Sequence, residues 1–373
     1  MKNACLLIKT EGSSFCFSKA NAVQQACLAS GLKLDELRVM YSPLGATQAY
    51  FAELLQGVKA CFDNAILCVE AVLLATLKSA LLQTYPETAL VGANGEGVFT
   101  SLSADKKSEK TLFLFPEKNV EFCLQPFCSA YLSQKSGLKT DSLFIRAMGA
   151  SEARVQSLLA QAKQMDGGKM QYLHTRSFDE DILQISYDQT ASKMLVDDVL
   201  RLFADGLDES VYALENVSLE RRLVQLLKLR GKKISVAESF TGGGIAKKIV
   251  SVPGASEVYF EGLNTYNELS KIKRLGVSEY TLKTVGAVSD QTAYEMAAGL
   301  IATGDADISI ATTGLAGPKS DNSMLPVGLC YIAVGTKERV FVYRYKFEGD
   351  REEITQKAIS YALFHAYKQL KNM

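Results

Sequence analysis

Twelve residues, Ile234-Ser-Val-Ala-Glu-Ser-Phe-Thr-Gly-Gly-Gly-Ile245, bring a serine hydroxyl, a threonine and three consecutive glycines together. Ile234 to Ala237 is short, apolar and rich in β-branched residues, as a buried strand is. Ile245-Ala-Lys-Lys-Ile-Val250 then has the pattern of a helix. A strand that turns through glycine into a helix leaves backbone N–H groups facing whatever sits on the turn, which suits an anion. Ser239 stands on that turn, where its hydroxyl can be exposed at the end of a sheet. Thr241, Gly242 and Gly243 are placed to bind a substrate there. The plainer reading makes Ser239 and Thr241 helix N-caps and the glycines packing spacers.

Three later segments could supply the remaining chemistry. Tyr266-Asn-Glu-Leu-Ser-Lys271 carries a phenol and an amine. On one helix these would lie about 140° apart, so a shared pocket needs a turn between them. A lysine in an apolar pocket loses proton affinity, because burial disfavours its charged form. It can then take a proton from a serine hydroxyl, and a tyrosine beside both can assist. The plainer reading is a surface lysine among its neighbours Lys273 and Arg274. Thr312-Thr-Gly-Leu-Ala-Gly-Pro318 follows a buried strand, and ligands of open α/β sheets gather beyond strand carboxyl ends. There Thr313 and Gly314 offer a hydroxyl and open N–H groups, or else form an ordinary turn. Arg351, in Glu348-Gly-Asp-Arg351, starts a helix and can clamp a phosphate or pair with Asp350.

The elements that must position these residues are legible as alternating strands and helices. Residues 1–125 carry strand patterns at Cys5–Ile8, Asn64–Val69 and Leu112–Phe115, and helix patterns at Ala20–Ser30 and Val72–Gln83. Lys106–Lys110 reads as a charged turn. That alternation predicts an α/β layer with a largely parallel sheet. Residues 126–212 read as a small α+β domain, with strands at Phe144–Met148 and Ile182–Tyr187 and helices at Ala150–Met165 and Val196–Ala204. The polar stretch Gly206–Asn216 reads as the way out. Residues 213–373 read as a second α/β domain. Its helices are Leu219–Leu229, Ala-rich Thr292–Thr303 and Glu352–Leu370, its strands Ile234–Ala237, Ile308–Ala311, Leu329–Val334 and Val340–Phe347. Ala255–Asn264 reads as a crossing to Thr265 and Tyr266.

At 373 residues the chain exceeds one ordinary core and should form two or three domains. Its 41 basic and 41 acidic residues cancel, so nothing attracts nucleic acid or an anionic membrane to the chain as a whole. Charge interrupts Met1-Lys-Asn-Ala-Cys-Leu-Leu-Ile-Lys9 too early for a signal peptide, and no run approaches the ~20 apolar residues of a membrane span. A cytoplasmic protein is expected. The eight cysteines form no Cys-x-x-Cys pair, and neither His174 nor His365 lies near one, which argues against zinc. Cys68 and Cys330 sit in apolar runs and read as buried thiols.

Together the motifs resemble the C-terminal domain of the CinA (competence/damage-inducible) family. They are Ala237-Glu-Ser-Phe-Thr-Gly-Gly243, Tyr266 with Lys271, Gly286-Ala-Val-Ser289, Thr313-Gly-Leu-Ala-Gly-Pro318, Pro326-Val-Gly328 and Gly349-Asp-Arg351. Six motifs in family order are far more specific than any one alone. The resemblance implies a nicotinamide-nucleotide amidase, which hydrolyses the carboxamide of nicotinamide mononucleotide to nicotinate mononucleotide and ammonia without metal or cofactor. It makes Ser239 the nucleophile, Lys271 the general base and Tyr266 an assistant. Thr313 and Arg351 would hold the substrate, Arg351 at its phosphate, and Thr241–Gly243 would offer N–H donors to the oxyanion. It also implies a homodimer.

This chain departs from the family at Lys319-Ser-Asp-Asn-Ser-Met-Leu325, where a glycine-rich continuation and a lysine are usual, and at Thr355, often basic. Residues 144–165, with Arg146-Ala-Met-Gly-Ala-Ser-Glu152, resemble the family's KH-like linker domain. The family's first domain resembles molybdopterin-binding proteins and carries ADP-ribose pyrophosphatase activity on a glycine-rich loop with paired aspartates. Here that place reads Cys68-Val-Glu-Ala-Val-Leu-Leu74, and Asn94, Gly97 and Phe113-Leu-Phe-Pro116 keep only an outline of later motifs. The domain is expected to keep its fold and to have lost metal binding and pyrophosphatase activity. A second functional reading is a non-catalytic nucleotide-sensing or partner-binding protein linked to competence or DNA damage. A third is an amidase for another pyridine or amide.

Overall fold

A computed structural model of the chain describes residues 2–13, 24, 34–85, 98–101, 111–116, 141–187, 189–318 and 325–373. Apart from residue 24, the helix read at Ala20–Ser30 lies outside them, as do the turn at Lys106–Lys110, Asn94, Gly97 and residues 319–324. The chain forms two compact α/β units, residues 1–141 with 186–190, and residues 142–185 with 191–373.

The first unit holds β1 (Asn3–Thr10), β2 (Glu36–Ser42), α1 (Gln48–Cys61), β3 (Asn64–Val69), α2 (Ala71–Thr84), β4 (Val98–Ser101) and β5 (Thr111–Pro116). Its sheet runs β2-β1-β3-β5-β4, and every pairing is parallel except β4 with β5. β2, α1 and β4 are additional to the elements read from the sequence. Cys5 and Cys68, on neighbouring strands, are buried with their Sγ atoms 3.9 Å apart.

The second unit contains two sheets. The smaller comprises β6 (Asp141–Met148), α3 (Glu152–Asp166), β7 (Met170–Ser177), β8 (Glu180–Tyr187), α4 (Lys193–Leu207) and β9 (Val211–Ala213), with strand order β7-β8-β6-β9. The polar stretch after α4 is therefore not only an exit. Tyr212 and Ala213 are buried, and β9 returns antiparallel to β6.

The larger sheet carries the candidate site. Its elements are α5 (Leu219–Arg230), β10 (Ile234–Glu238), α6 (Gly244–Val250), β11 (Tyr259–Asn264), α7 (Glu268–Leu275), α8 (Glu279–Thr284), α9 (Asp290–Ala302), β12 (Ile308–Gly314), β13 (Leu329–Thr336), β14 (Val340–Lys346) and α10 (Arg351–Asn372). The order is β11-β10-β12-β13-β14, with β10 parallel to β11 and β12 and the last two pairings antiparallel. The segment read as a crossing is thus a strand at the sheet edge.

Strand alternation decides the layers. Ile234, Val236, Ile308, Ile310, Ile332 and Val334 pack against α5, α6 and α10. Ala237, Ala311 and Ala333 face the other way, onto Ala293, Met296, Ala297 and Leu300 of α9. Small residues on that face let α9 lie close, and the Ser309 hydroxyl donates to the Ala297 carbonyl at 2.8 Å. α9 also meets α7. A Cβ at Gly299 would lie 2.0 Å from the Leu275 carbonyl oxygen.

Gly→Ala in a helix interior ordinarily gains up to about 1 kcal/mol. Gly299→Ala should instead cost about 1–3 kcal/mol through overpacking against α7. Chemical denaturation checks the sign, and a stabilised variant would contradict this packing.

Candidate active site

The carboxyl ends of three parallel strands meet at one place. Glu238 at the end of β10 pairs with Asn264 of β11 and Thr312 of β12. Ser239 follows Glu238, and its N–H donates to the Thr312 carbonyl at 3.1 Å. Thr265 follows β11, and its N–H donates to the Glu238 carbonyl at 2.8 Å. Asn267 caps α7 through the Leu269 amide, which turns the chain so that Lys271 points back to the sheet.

Lys271 is 1% exposed. Its Nζ lies 3.1 Å from Ser239 Oγ, 2.6 Å from the Thr265 carbonyl oxygen and 3.4 Å from that of Tyr266. Burial brings its pKa down to about 8, with Glu268 opposing the change. A buried amine near its midpoint, in hydrogen-bond contact with a serine hydroxyl, has the geometry of a nucleophile and its base.

The glycine turn does something other than the sequence suggests. Gly242 and Gly243 have φ of 61° and 96°, a region that glycine enters without strain. Their N–H groups, however, are taken within the fold: Gly242 donates to the Ser239 carbonyl and Gly243 to Glu238 Oε2, both at 3.1 Å. The expectation that these two amides face a reacting oxyanion is corrected accordingly. Glu238 also accepts from Ile245 and Ala246, so a buried carboxylate supplies the cap of α6 and Ser239 is not an N-cap. Among the described residues no acceptor is found for the amides of Phe240 and Thr241.

The other expected residues divide. Thr241 Oγ1 is buried 2.8 Å from Thr312 Oγ1, which ties the turn to β12. Thr313 is buried, and its hydroxyl donates to the Ala287 carbonyl at 2.6 Å, joining β12 to the start of α9. Gly314 is a close-packing glycine, because a Cβ there would meet Cys330 Cβ at 2.5 Å. Arg351 is exposed at the first turn of α10, where Asp350 and Glu353 form a capping box. It does not pair with Asp350; Nη1 donates to the Gly317 carbonyl at 2.6 Å. Tyr266 contributes its carbonyl to Lys271, while its residue is 67% exposed and its phenol is not among the partners of Lys271 or Ser239.

Sequence reasoning passed over Glu238 and Thr265. The first lies inside the Ala-Glu-Ser motif, and the second precedes the tyrosine. Their spacing to Ser239 and Lys271 was the available signal. Among the described residues no cluster of His, Cys, Asp and Glu is placed to hold a metal ion, and no helix is long and apolar enough to cross a membrane.

A three-layered α/β domain with a buried Ser–Lys pair at its strand ends defines the class. Residues 216–370 match the CinA C-terminal domain. A relative from Caldicellulosiruptor saccharolyticus, named for competence-damage induction, is 35% identical over 282 residues, or 74% of this chain and 68% of that protein. A CinA-like protein from Kosmotoga olearia is 42% identical over 159 residues, covering 43% of this chain and 39% of its own. A crystal structure of a CinA superfamily protein from Klebsiella pneumoniae covers 42% of this chain and 97% of its own at 30% identity, with a TM-score of 0.41. The chain belongs to the CinA family.

The buried amine gives a stability test. The folded pKa near 8 lies below the 10.5 of an exposed lysine, so between these values the unfolded chain binds the extra proton. Stability then rises with pH across that window. From about pH 7 to about pH 11 the wild type should gain about 3 kcal/mol relative to Lys271→Met. Urea unfolding of both proteins measures it, and parallel pH curves would refute it.

Proposed function

We propose that the C-terminal domain is a nicotinamide-nucleotide amidase. It hydrolyses the carboxamide of nicotinamide mononucleotide to nicotinate mononucleotide and ammonia, in cytoplasmic salvage of pyridine nucleotides. The observation that carries this reading is the 3.1 Å contact between Lys271 Nζ and Ser239 Oγ. Family membership supports the choice of substrate.

In this mechanism neutral Lys271 takes the Ser239 proton as Oγ attacks the carboxamide carbon. The tetrahedral oxyanion is met by the Phe240 and Thr241 amides, a role worth several kcal/mol in a dry site. Protonated Lys271 returns its proton to the leaving nitrogen, which departs as ammonia. Water activated by the same amine then cleaves the acyl-serine. Arg351 holds the phosphate, Thr313 shapes the substrate's seat, and Tyr266 assists at its rim. The active form is a homodimer, and no cofactor takes part.

Incubation with nicotinamide mononucleotide should release ammonia, and Ser239→Ala should abolish the release. Because the base must be unprotonated, kcat should rise with pH through about 8 and then level. Tight binding without turnover would favour the nucleotide-sensing alternative, and turnover of other amides alone would move the substrate class.

The first unit is proposed to lack pyrophosphatase activity. After β3 the Glu70 carboxylate takes the Thr10 amide at 2.8 Å and the hydroxyls of Thr10 and Ser13 at 2.6 and 2.9 Å. These hydrogen bonds, the Thr10 hydroxyl's foremost, lower its pKa. A carboxylate of the chain itself thus holds donors that a phosphate would need. ADP-ribose with any divalent metal should yield no AMP, and measurable AMP release would overturn this assignment.

A further inference from the structure

Glu238 is 1% exposed at the end of β10. A carboxylate so deeply buried is costly unless donors satisfy it. Both oxygens are satisfied by backbone: Oε2 accepts from Gly243 and Ile245 at 3.1 Å, and Oε1 from Ala246 at 2.9 Å. The turn therefore leaves β10 at Glu238 and is clamped to the same residue five positions later. Ser239, Phe240 and Thr241 lie inside the closed loop. It is also tied to β12 by Ser239 N–H to the Thr312 carbonyl and the Thr241–Thr312 hydroxyl contact, to α7 by the Lys271 amine on Ser239 Oγ, and within itself by the Gly242 and Gly244 amides on the Ser239 and Thr241 carbonyls.

The carboxylate does not bond to Lys271, whose partners are Ser239, Thr265 and Tyr266. The acidic group acting on Lys271 is Glu268. Glu238 thus acts on geometry and not on proton transfer.

We infer that Glu238 is the positioning residue of this site: its carboxylate fills the anion position of the glycine turn, fixes Ser239 against Lys271, and leaves the Phe240 and Thr241 amides for the reaction. The inference rests on the Ser–Lys reading given above. One consequence concerns the substrate. Its anionic group is excluded from the amides of Gly243, Ile245 and Ala246, which already hold a negative charge, and must be bound elsewhere.

A serine-directed fluorophosphonate tests this without nicotinamide mononucleotide. Ser239 Oγ forms a bond to phosphorus, fluoride leaves, and the serine proton passes to Lys271. In Glu238→Gln an N–H₂ group would face backbone donors, so the turn should open. Labelling should slow about 100-fold, the cost of a small misplacement of reacting groups. Its pH midpoint should stay that of wild type. With the mononucleotide, kcat should fall while KM holds. Equal labelling rates in Glu238→Gln and wild type would overturn the inference. Wild-type labelling without mononucleotide hydrolysis would remove the amidase reading and leave Glu238 to be judged by labelling alone.

Amide hydrogen exchange in the wild type, followed by NMR, decides the matter if the variant fails to fold or the reagent fails to react. Gly243, Ile245 and Ala246 should be protected, while Phe240 and Thr241 should exchange fast. Protection of Phe240 and Thr241 equal to that of Gly243 would overturn the inference.

Discussion

The site depends on a lysine amine held out of water with no carboxylate of the described residues in contact. Two carbonyls and one hydroxyl are the hydrogen-bond partners of Lys271. Carbonyls orient an ammonium without neutralising it, so the charged form stays penalised and the proton is held weakly. A carboxylate at the same distance would reverse the effect. Everything around Lys271 serves this restraint, from the Asn267 cap that turns α7 to the packing of α9 that holds α7 down.

The scaffold meets the restraint with a division of residue sizes. Branched aliphatics on one sheet face build the thicker layer under α5, α6 and α10. Alanines on the other face bring α9 near enough for Ser309 to reach a helix carbonyl. Close approach there lets short side chains at the strand ends touch across elements. The Thr313–Ala287 contact needs it. Placement of the amine thus begins in the smallness of the strand residues that face α7 and α9.

Much of this was legible in the sequence, for physical reasons. β10 and β12 are mostly apolar because both their faces are covered, and the Ala-rich pattern of α9 follows from its closeness to the sheet. Ser239 and Lys271 could be nominated from residue type and order. β11 was missed because it is an edge strand, where Glu261, Gly262 and Asn264 break the apolar pattern that burial would impose. β9 was missed because three residues carry little periodicity. Glu238 was overlooked because a glutamate usually signals surface. Only the fold shows that backbone amides solvate it. The same three bonds explain the turn glycines, whose value lies in backbone shape and not in free donors.

The reversal of strand direction at β12 has a further meaning. β13 runs antiparallel to it, so the connection from Gly314 to Leu329 leaves and re-enters the sheet at the edge that carries Ser239. A crossover would have to span the sheet and fix its own length. A hairpin connection does not, and residues can be inserted or exchanged in it while the strands keep register. The family departure at Lys319–Leu325 falls within this connection. The departure therefore falls in a connection separate from the β10–α6 turn that carries Ser239.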